Sequence, residues 1–94
     1  MKIKNGYLLR EVGSVSVVVA VGEASKDFHK ILTLNDTGSF LFKLLSDGAD
    51  EDVLVTKLCE RFDVDKDTAQ SDVKRFLQKL DTLKLLENQL EKYS

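Results

Sequence analysis

The stretch Leu34-Asn35-Asp36-Thr37-Gly38 divides the chain into two halves with different apolar patterns. Before it, apolar residues come in short β-branched runs broken by glycines, which is typical of strands. After it, apolar residues recur at helical spacing almost to the C-terminus. A half-chain of strands followed by a half-chain of helices predicts a small α+β domain.

Three strands are predicted in the first half. Tyr7–Val12 and Val15–Val21 are separated by Gly13-Ser14, a pair suited to a tight hairpin turn because Gly adopts positive φ readily. Phe28–Leu34 is predicted as the third strand, and together the three predict an antiparallel sheet. A sheet this small leaves strand edges with unpaired backbone groups, to which another peptide can add.

Three helices are predicted in the second half, and each follows a side chain that can accept hydrogen bonds from the free N–H groups of a first turn. Asn35 or Asp36 caps the first helix, which Asp47-Gly48 ends. Asp50 starts the second helix, and Asp65 caps the third. We therefore expect strands over 1–34, three helices over 35–86 and a polar tail over 87–94.

Length and composition indicate one small domain. The chain has 94 residues without a Pro-rich or Ser-rich linker, and its 43% hydrophobic fraction argues against disorder. The net charge of -2 gives no long-range attraction to nucleic acid or to an anionic membrane. The sequence contains no secretory signal pattern and no apolar run near the roughly 20 residues that span a bilayer. We expect a cytoplasmic protein with no membrane partner.

Catalytic and cofactor-binding patterns are missing from the sequence, so we expect a protein that is not an enzyme and has no cofactor. His29 is the one histidine, without a positioned Ser or Cys partner, and one imidazole alone is not an acid–base apparatus. Cys59 is the one cysteine and falls on an apolar helical stripe, as a structural thiol does. These two residues cannot supply the usual zinc ligand sets, and no phosphate-binding glycine loop occurs.

Three short capped helices also suggest a winged helix-turn-helix, a fold that often binds DNA, but the charges argue against that function. A DNA-reading helix needs a basic face. The second helix instead opens with Asp50-Glu51-Asp52 and the third with Asp65-Lys66-Asp67. Lys74, Arg75 and Lys79 form a small basic group on the third helix, suited to a solvated face or to an acidic peptide. A DNA-binding or protein-scaffolding regulator remains the alternative.

The helical half resembles the PqqD-like family. The residues that carry the resemblance are Leu34-Asn35-Asp36-Thr37-Gly38, then Phe40–Leu45 with Asp47-Gly48, then Leu54 with Leu58 and Arg61-Phe62-Asp63-Val64-Asp65, and finally Ala69, Asp72-Val73 and Phe76-Leu77. The likeness extends over about Tyr7 to Glu87 and is looser in the strands. One departure is Lys84, where many members have a glycine.

Proteins of that family, which include the pyrroloquinoline quinone biosynthesis protein D, recognise the leaders of ribosomally made precursor peptides. The resemblance implies a three-stranded antiparallel sheet packed on a three-helix winged helix-turn-helix unit. It also implies that the leader adds as a further strand beside the third strand, in the groove shared with the third helix. The expected peptide-binding residues are Phe28, His29, Lys30, Ile31, Leu32, Thr33, Asp72, Arg75, Phe76, Lys79, Leu80 and Leu83.

The resemblance further implies a non-catalytic adaptor that presents the peptide to a separate maturation enzyme, often a radical S-adenosylmethionine enzyme. For Phe76, Leu80 and Leu83 the alternative role is core packing, and for Arg75 and Lys79 it is a solvated face. The oligomeric state is left open between a monomer and a homodimer, in which two chains could exchange their strand hairpins.

Overall fold

The computed structural model describes residues 1–26 and 32–87, and in these the predicted α+β class, with a three-stranded antiparallel sheet and three helices, is confirmed. The winged helix-turn-helix arrangement of the helices stays a prediction. The elements in chain order are β1 (Lys2–Ile3), β2 (Tyr7–Val12), β3 (Val15–Ala20), a 3₁₀ helix (Gly22–Lys26), β4 (Leu32–Leu34), α1 (Asp36–Asp47), α2 (Glu51–Phe62), α3 (Lys66–Thr82) and β5 (Leu86–Glu87).

The main sheet has the strand order β2-β3-β4, and both pairings are antiparallel. The hairpin between β2 and β3 has the predicted two-residue turn, since Val12 pairs with Val15 and Gly13 takes a φ of +62°. In β4 only Leu32–Leu34 of the predicted strand is described. Residues 28–31 of that prediction lie outside the described residues.

One apolar core lies between the helices and the inner face of this sheet. Val18, Leu32 and Leu34 contribute to it from the sheet, and all three are at least 95% buried. Leu41, Leu45, Leu54, Leu58 and Leu80 contribute from the helices, along with Phe42. No helix within the described parts of the chain combines the length and apolar character that crossing a bilayer would require.

The predicted helix starts are confirmed at the level of single hydrogen bonds. The Asn35 side chain accepts from the Gly38 backbone N–H at 2.8 Å, so Asn35 rather than Asp36 caps α1. Asp50 and Asp65 accept in the same way from the third residues of α2 and α3, with N···O distances of 2.9 and 2.7 Å. These acceptors satisfy N–H groups that have no partner within their own helices.

The third helix ends earlier than the sequence pattern indicates. Its last residue is Thr82, and Leu85 and Leu86 follow it in a turn and a short strand. Lys84 adopts a φ of +63°. The Leu85 N–H donates to the Leu80 carbonyl at 2.9 Å, and the Lys84 N–H donates to the Asp81 carbonyl, also at 2.9 Å. Those two bonds form a Schellman motif, in which Lys84 occupies the left-handed position that usually holds a glycine.

This turn leads into a second, two-stranded sheet that the sequence pattern did not predict. β1 pairs antiparallel with β5, and the Lys4 N–H donates to the Leu85 carbonyl at 2.8 Å. Ile3 and Leu86 are buried in the common core. The ribbon therefore fastens the N-terminus to the end of α3.

Replacing Lys84 by Gly should stabilise the fold by about 0.5–1 kcal/mol. A left-handed conformation costs a non-glycine residue about 1–2 kcal/mol, and the greater freedom of Gly in the unfolded chain offsets part of the gain. Urea unfolding measures the difference. The Lys84→Ala variant is the control, because it removes the side chain and keeps the unfavourable backbone. An equal gain in both variants would contradict a backbone origin.

Ser39 gives a second stability prediction. Its hydroxyl is buried and has no hydrogen-bond partner among the described residues, and a buried polar group without a partner is destabilising. We expect Ser39→Ala to raise the free energy of unfolding by about 1 kcal/mol, aided by the better helix propensity of Ala. Ser46→Ala on the same helix is the control, since the Ser46 hydroxyl donates to the Phe42 carbonyl at 3.0 Å. Equal changes in both variants would argue against the prediction.

Asp65 should make the stability depend on acid pH. The Thr68 backbone N–H, with a second hydrogen bond from the Thr68 side chain, lowers the pKa of the Asp65 carboxyl in the folded state. Because the pKa of this carboxyl is lower in the folded than in the unfolded chain, the ionised group stabilises the fold at pH values above its unfolded pKa. That stabilisation is lost as the pH falls through the pKa of the folded state. We expect a carboxyl-detected NMR titration to give a lower midpoint for Asp65 in the folded chain than in urea. Equal midpoints would contradict the capping role.

Candidate functional site

An open groove of about 280 Å³ lies between β4, the start of α1 and one face of α3. Its lining combines a backbone edge, an apolar floor and charged side chains at the rim. The residues that line it are Thr33, Leu34, Asn35, Thr37, Gly38, Leu41, Asp72, Arg75, Phe76 and Lys79.

The strand wall of the groove is a sheet edge. In the described part of the chain β4 pairs with β3 on one side and with no strand on the other. Leu32 and Leu34 point into the core, whereas Thr33 is exposed. The strand therefore keeps its alternation of sides and offers an edge at which another strand can be added.

The first turn of α1 closes one side of the groove because Gly38 lets the helix approach the strand closely. Gly38 is buried, and a Cβ built on it would lie 3.3 Å from the Leu34 Cβ and 3.4 Å from the Asn35 side-chain oxygen. Most side-chain contacts are looser than this. A larger residue at position 38 would therefore displace Leu34, which itself lines the groove.

The α3 wall comes from residues spaced three and four apart, which share one helix face. Phe76 is only 9% exposed and forms part of the apolar floor. Arg75 and Lys79 are exposed at the rim, and the Arg75 guanidinium lies 3.9 Å from the Asp72 carboxylate. That pair is weak, because the Arg75 side chain is 76% exposed and solvent screens the interaction. The rim therefore keeps basic groups accessible to a ligand.

Of the predicted peptide-binding residues, five line this groove: Thr33, Asp72, Arg75, Phe76 and Lys79. Leu32 and Leu80 are buried in the core, and Leu83 is half-buried against it. The alternative role of core packing therefore holds for Leu80, and Phe76 serves both the core and the groove. Phe28, His29, Lys30 and Ile31 lie outside the described residues, so their roles stay predictions.

The sequence pattern missed the α1 side of the groove, made by Asn35, Thr37, Gly38 and Leu41. Of these residues, Asn35 is predicted from the sequence only as a helix cap. A glycine in the first turn of an amphipathic helix was the available signal, because Gly weakens a helix and its presence there indicates close packing.

Neither Cys59 nor a cluster of metal-ligating side chains contributes to the groove in the part of the chain that the structure describes. The sequence predicts a buried structural thiol at Cys59, whereas the structure has this side chain half-buried on α2 and packed against the core. Within residues 1–26 and 32–87, no three His, Cys, Asp or Glu side chains are grouped as metal ligands would be.

Comparison with solved structures gives a match along nearly the whole chain. The structure described as "TbiB1 in Complex with the TbiA(beta) Leader Peptide" superposes with a TM-score of 0.74 and 25% sequence identity. The match covers 94% of this chain and 96% of TbiB1. No curated protein matches the sequence significantly.

The family comparison covers the groove and all three helices. The sequence profile described as coenzyme PQQ synthesis protein D (PqqD) matches residues 16–86, from β3 to the start of β5. That range includes every residue lining the groove. The chain belongs to the PqqD family.

Proposed function

We propose that this protein binds the leader segment of a ribosomally made precursor peptide and presents it to a separate maturation enzyme. The observation that carries the proposal is the open edge of β4 beside a groove whose other wall is α3. Since precursor peptides are made on ribosomes, we expect the protein to act in the cytoplasm.

Backbone hydrogen bonds would supply much of the affinity. A leader in extended conformation adds to the β4 edge, and its N–H and C=O groups pair with those that β4 leaves unpaired in the described structure. This mode of binding is tolerant of sequence, because every residue except proline offers the same two groups. The β2 edge is also open among the described strands, but the groove lies beside β4.

The groove would supply the selectivity. Side chains alternate along an added strand, so every second leader residue points into the groove. There it meets the apolar floor formed by Leu34 and Phe76, behind which Leu41 is fully buried. Arg75 and Lys79 stand at the rim, where they favour leader carboxylates. The preferred ligand is therefore an extended peptide with apolar side chains at alternate positions and acidic residues nearby.

The structural match supports a leader peptide as the ligand, because TbiB1 is described in complex with a leader peptide. We infer that this chain acts without catalysis of its own and raises the effective concentration of the peptide at a partner enzyme. By family analogy that partner is often a radical S-adenosylmethionine enzyme. The acidic first turns of α2 and α3 do not favour the alternative of a DNA-binding regulator.

An amide chemical-shift titration with leader peptides encoded beside the gene tests the proposal. Perturbations should concentrate in Leu32–Leu34, in the first turn of α1 and in the α3 face from Asp72 to Lys79. We expect the shifts to saturate at micromolar peptide concentrations, which corresponds to a binding free energy on the order of −8 kcal/mol. A parallel titration with duplex DNA tests the alternative function. Shifts on α3 with DNA and none with any peptide would favour the regulator instead.

Charge reversal tests the rim. The double variant Arg75→Glu/Lys79→Glu should weaken binding of an acidic leader about tenfold, which corresponds to about 1.4 kcal/mol. The double variant Lys57→Glu/Lys74→Glu is the matched control, because it makes the same change in net charge at two exposed lysines that do not line the groove. Isothermal titration calorimetry measures both. If the control weakens binding as much as Arg75→Glu/Lys79→Glu does, the effect comes from net charge and the rim has no specific role.

A further inference from the structure

The main sheet has a second surface that the groove does not use. The strand register places alternate residues of β2, β3 and β4 on the side away from the core. We call this surface the outer face. Its residues are Leu8, Arg10 and Val12 from β2, Val15, Val17 and Val19 from β3, and Thr33 from β4.

The outer face is apolar and uncovered in the described structure. Leu8, Val12 and Val15 are 46%, 60% and 45% exposed, whereas Val18, on the opposite side of β3, is 1% exposed. The helices pack on that opposite side: the Lys43 ammonium of α1 lies 3.9 Å from the Glu11 carboxylate, and Glu11 points away from the outer face. A contiguous set of exposed apolar residues on a small domain marks an interaction surface.

The charge on the outer face selects among occupants. Arg10 is its one charged residue in the described strands, and it lies opposite Val17 in the β2–β3 pairing. If two copies stacked through this face, two arginines would be buried without a carboxylate from either outer face. Burying an unpaired charge is costly, so a second copy fits poorly. A partner with an apolar surface that carries a carboxylate opposite Arg10 fits well.

The position of the outer face indicates which partner this is. Thr33 belongs both to the outer face and to the lining of the groove. A leader strand added at the β4 edge would continue the same sheet, so its alternate side chains would extend the outer face beyond Thr33. A protein docked there would touch the domain and the bound peptide together. We propose that the outer face is the docking surface for the maturation enzyme, an inference that rests on the proposed function.

Two pairs of matched variants test this surface. Arg10→Glu and Val15→Glu alter the outer face. The control variants Lys57→Glu and Val53→Glu make the same changes in charge on α2. Val53 is 40% exposed, and Lys57 is also exposed. Calorimetry measures binding of each variant to the leader peptide alone and to the purified enzyme encoded beside the gene. We expect the outer-face variants to weaken enzyme binding at least tenfold and to leave leader affinity within twofold. The α2 variants should leave both affinities unchanged.

Several results would overturn the inference. The first is that the outer-face variants bind the enzyme as tightly as the wild type does. The second is that the α2 variants weaken enzyme binding as much as the outer-face variants do. The third is that the wild-type chain binds the leader but not the enzyme. Sedimentation showing a dimer that Arg10→Glu dissociates would identify a second copy as the occupant. Without any partner present, amide shifts in residues 88–94 on Arg10→Glu or Val15→Glu substitution would identify that segment as the occupant. Absence of leader binding to the wild type defeats the proposed function itself and is recognised in the titration without enzyme.

Discussion

The contact between the first turn of α1 and β4 is the constraint on which the rest of the structure depends. Asn35 caps the helix directly after the strand ends. Gly38 lets the helix lie close to the strand, since a Cβ at position 38 would be only 3.3 Å from the Leu34 Cβ. The helix therefore starts at a fixed distance and angle from the sheet edge. Because α1 also packs on α2, which packs on α3, this one junction sets the separation of β4 from α3 and hence the width of the groove.

Features of the fold that depend on neighbouring residues could be predicted from the sequence. Features that depend on pairing between distant segments could not. The caps Asn35, Asp50 and Asp65 could be predicted because each acts on its own first turn. The pairing of β1 with β5 could not, since it joins two-residue strands from opposite ends of the chain. Lys84 illustrates the same limit. Because Lys and Leu are good helix formers, the sequence pattern predicts a helix through the turn at Lys84, whereas α3 ends at Thr82 and the chain then pairs with β1.

The same reasoning explains which of the predicted peptide-binding residues the structure brings together at the groove. The resemblance implied a peptide-binding face on α3, and helical spacing brings Asp72, Phe76 and Lys79 to one face of that helix whatever the tertiary structure. The α1 side of the groove depends on how a strand and the following helix meet, which no periodicity in the sequence encodes. Its residues Thr37 and Gly38 had a sufficient local explanation as part of a helix start, and that explanation concealed their second role.

The sheet links the two proposed surfaces through its alternation of sides. The inner face is buried under the helices, the β4 edge borders the groove, and the outer face carries exposed valines around Arg10. A strand added at β4 must place neighbouring residues on opposite sides, one set in the groove and the other level with the outer face. A one-residue slip of the peptide would exchange the two sets, so groove recognition would also fix what a partner on the outer face meets. Peptide selectivity and enzyme docking are then two consequences of one register.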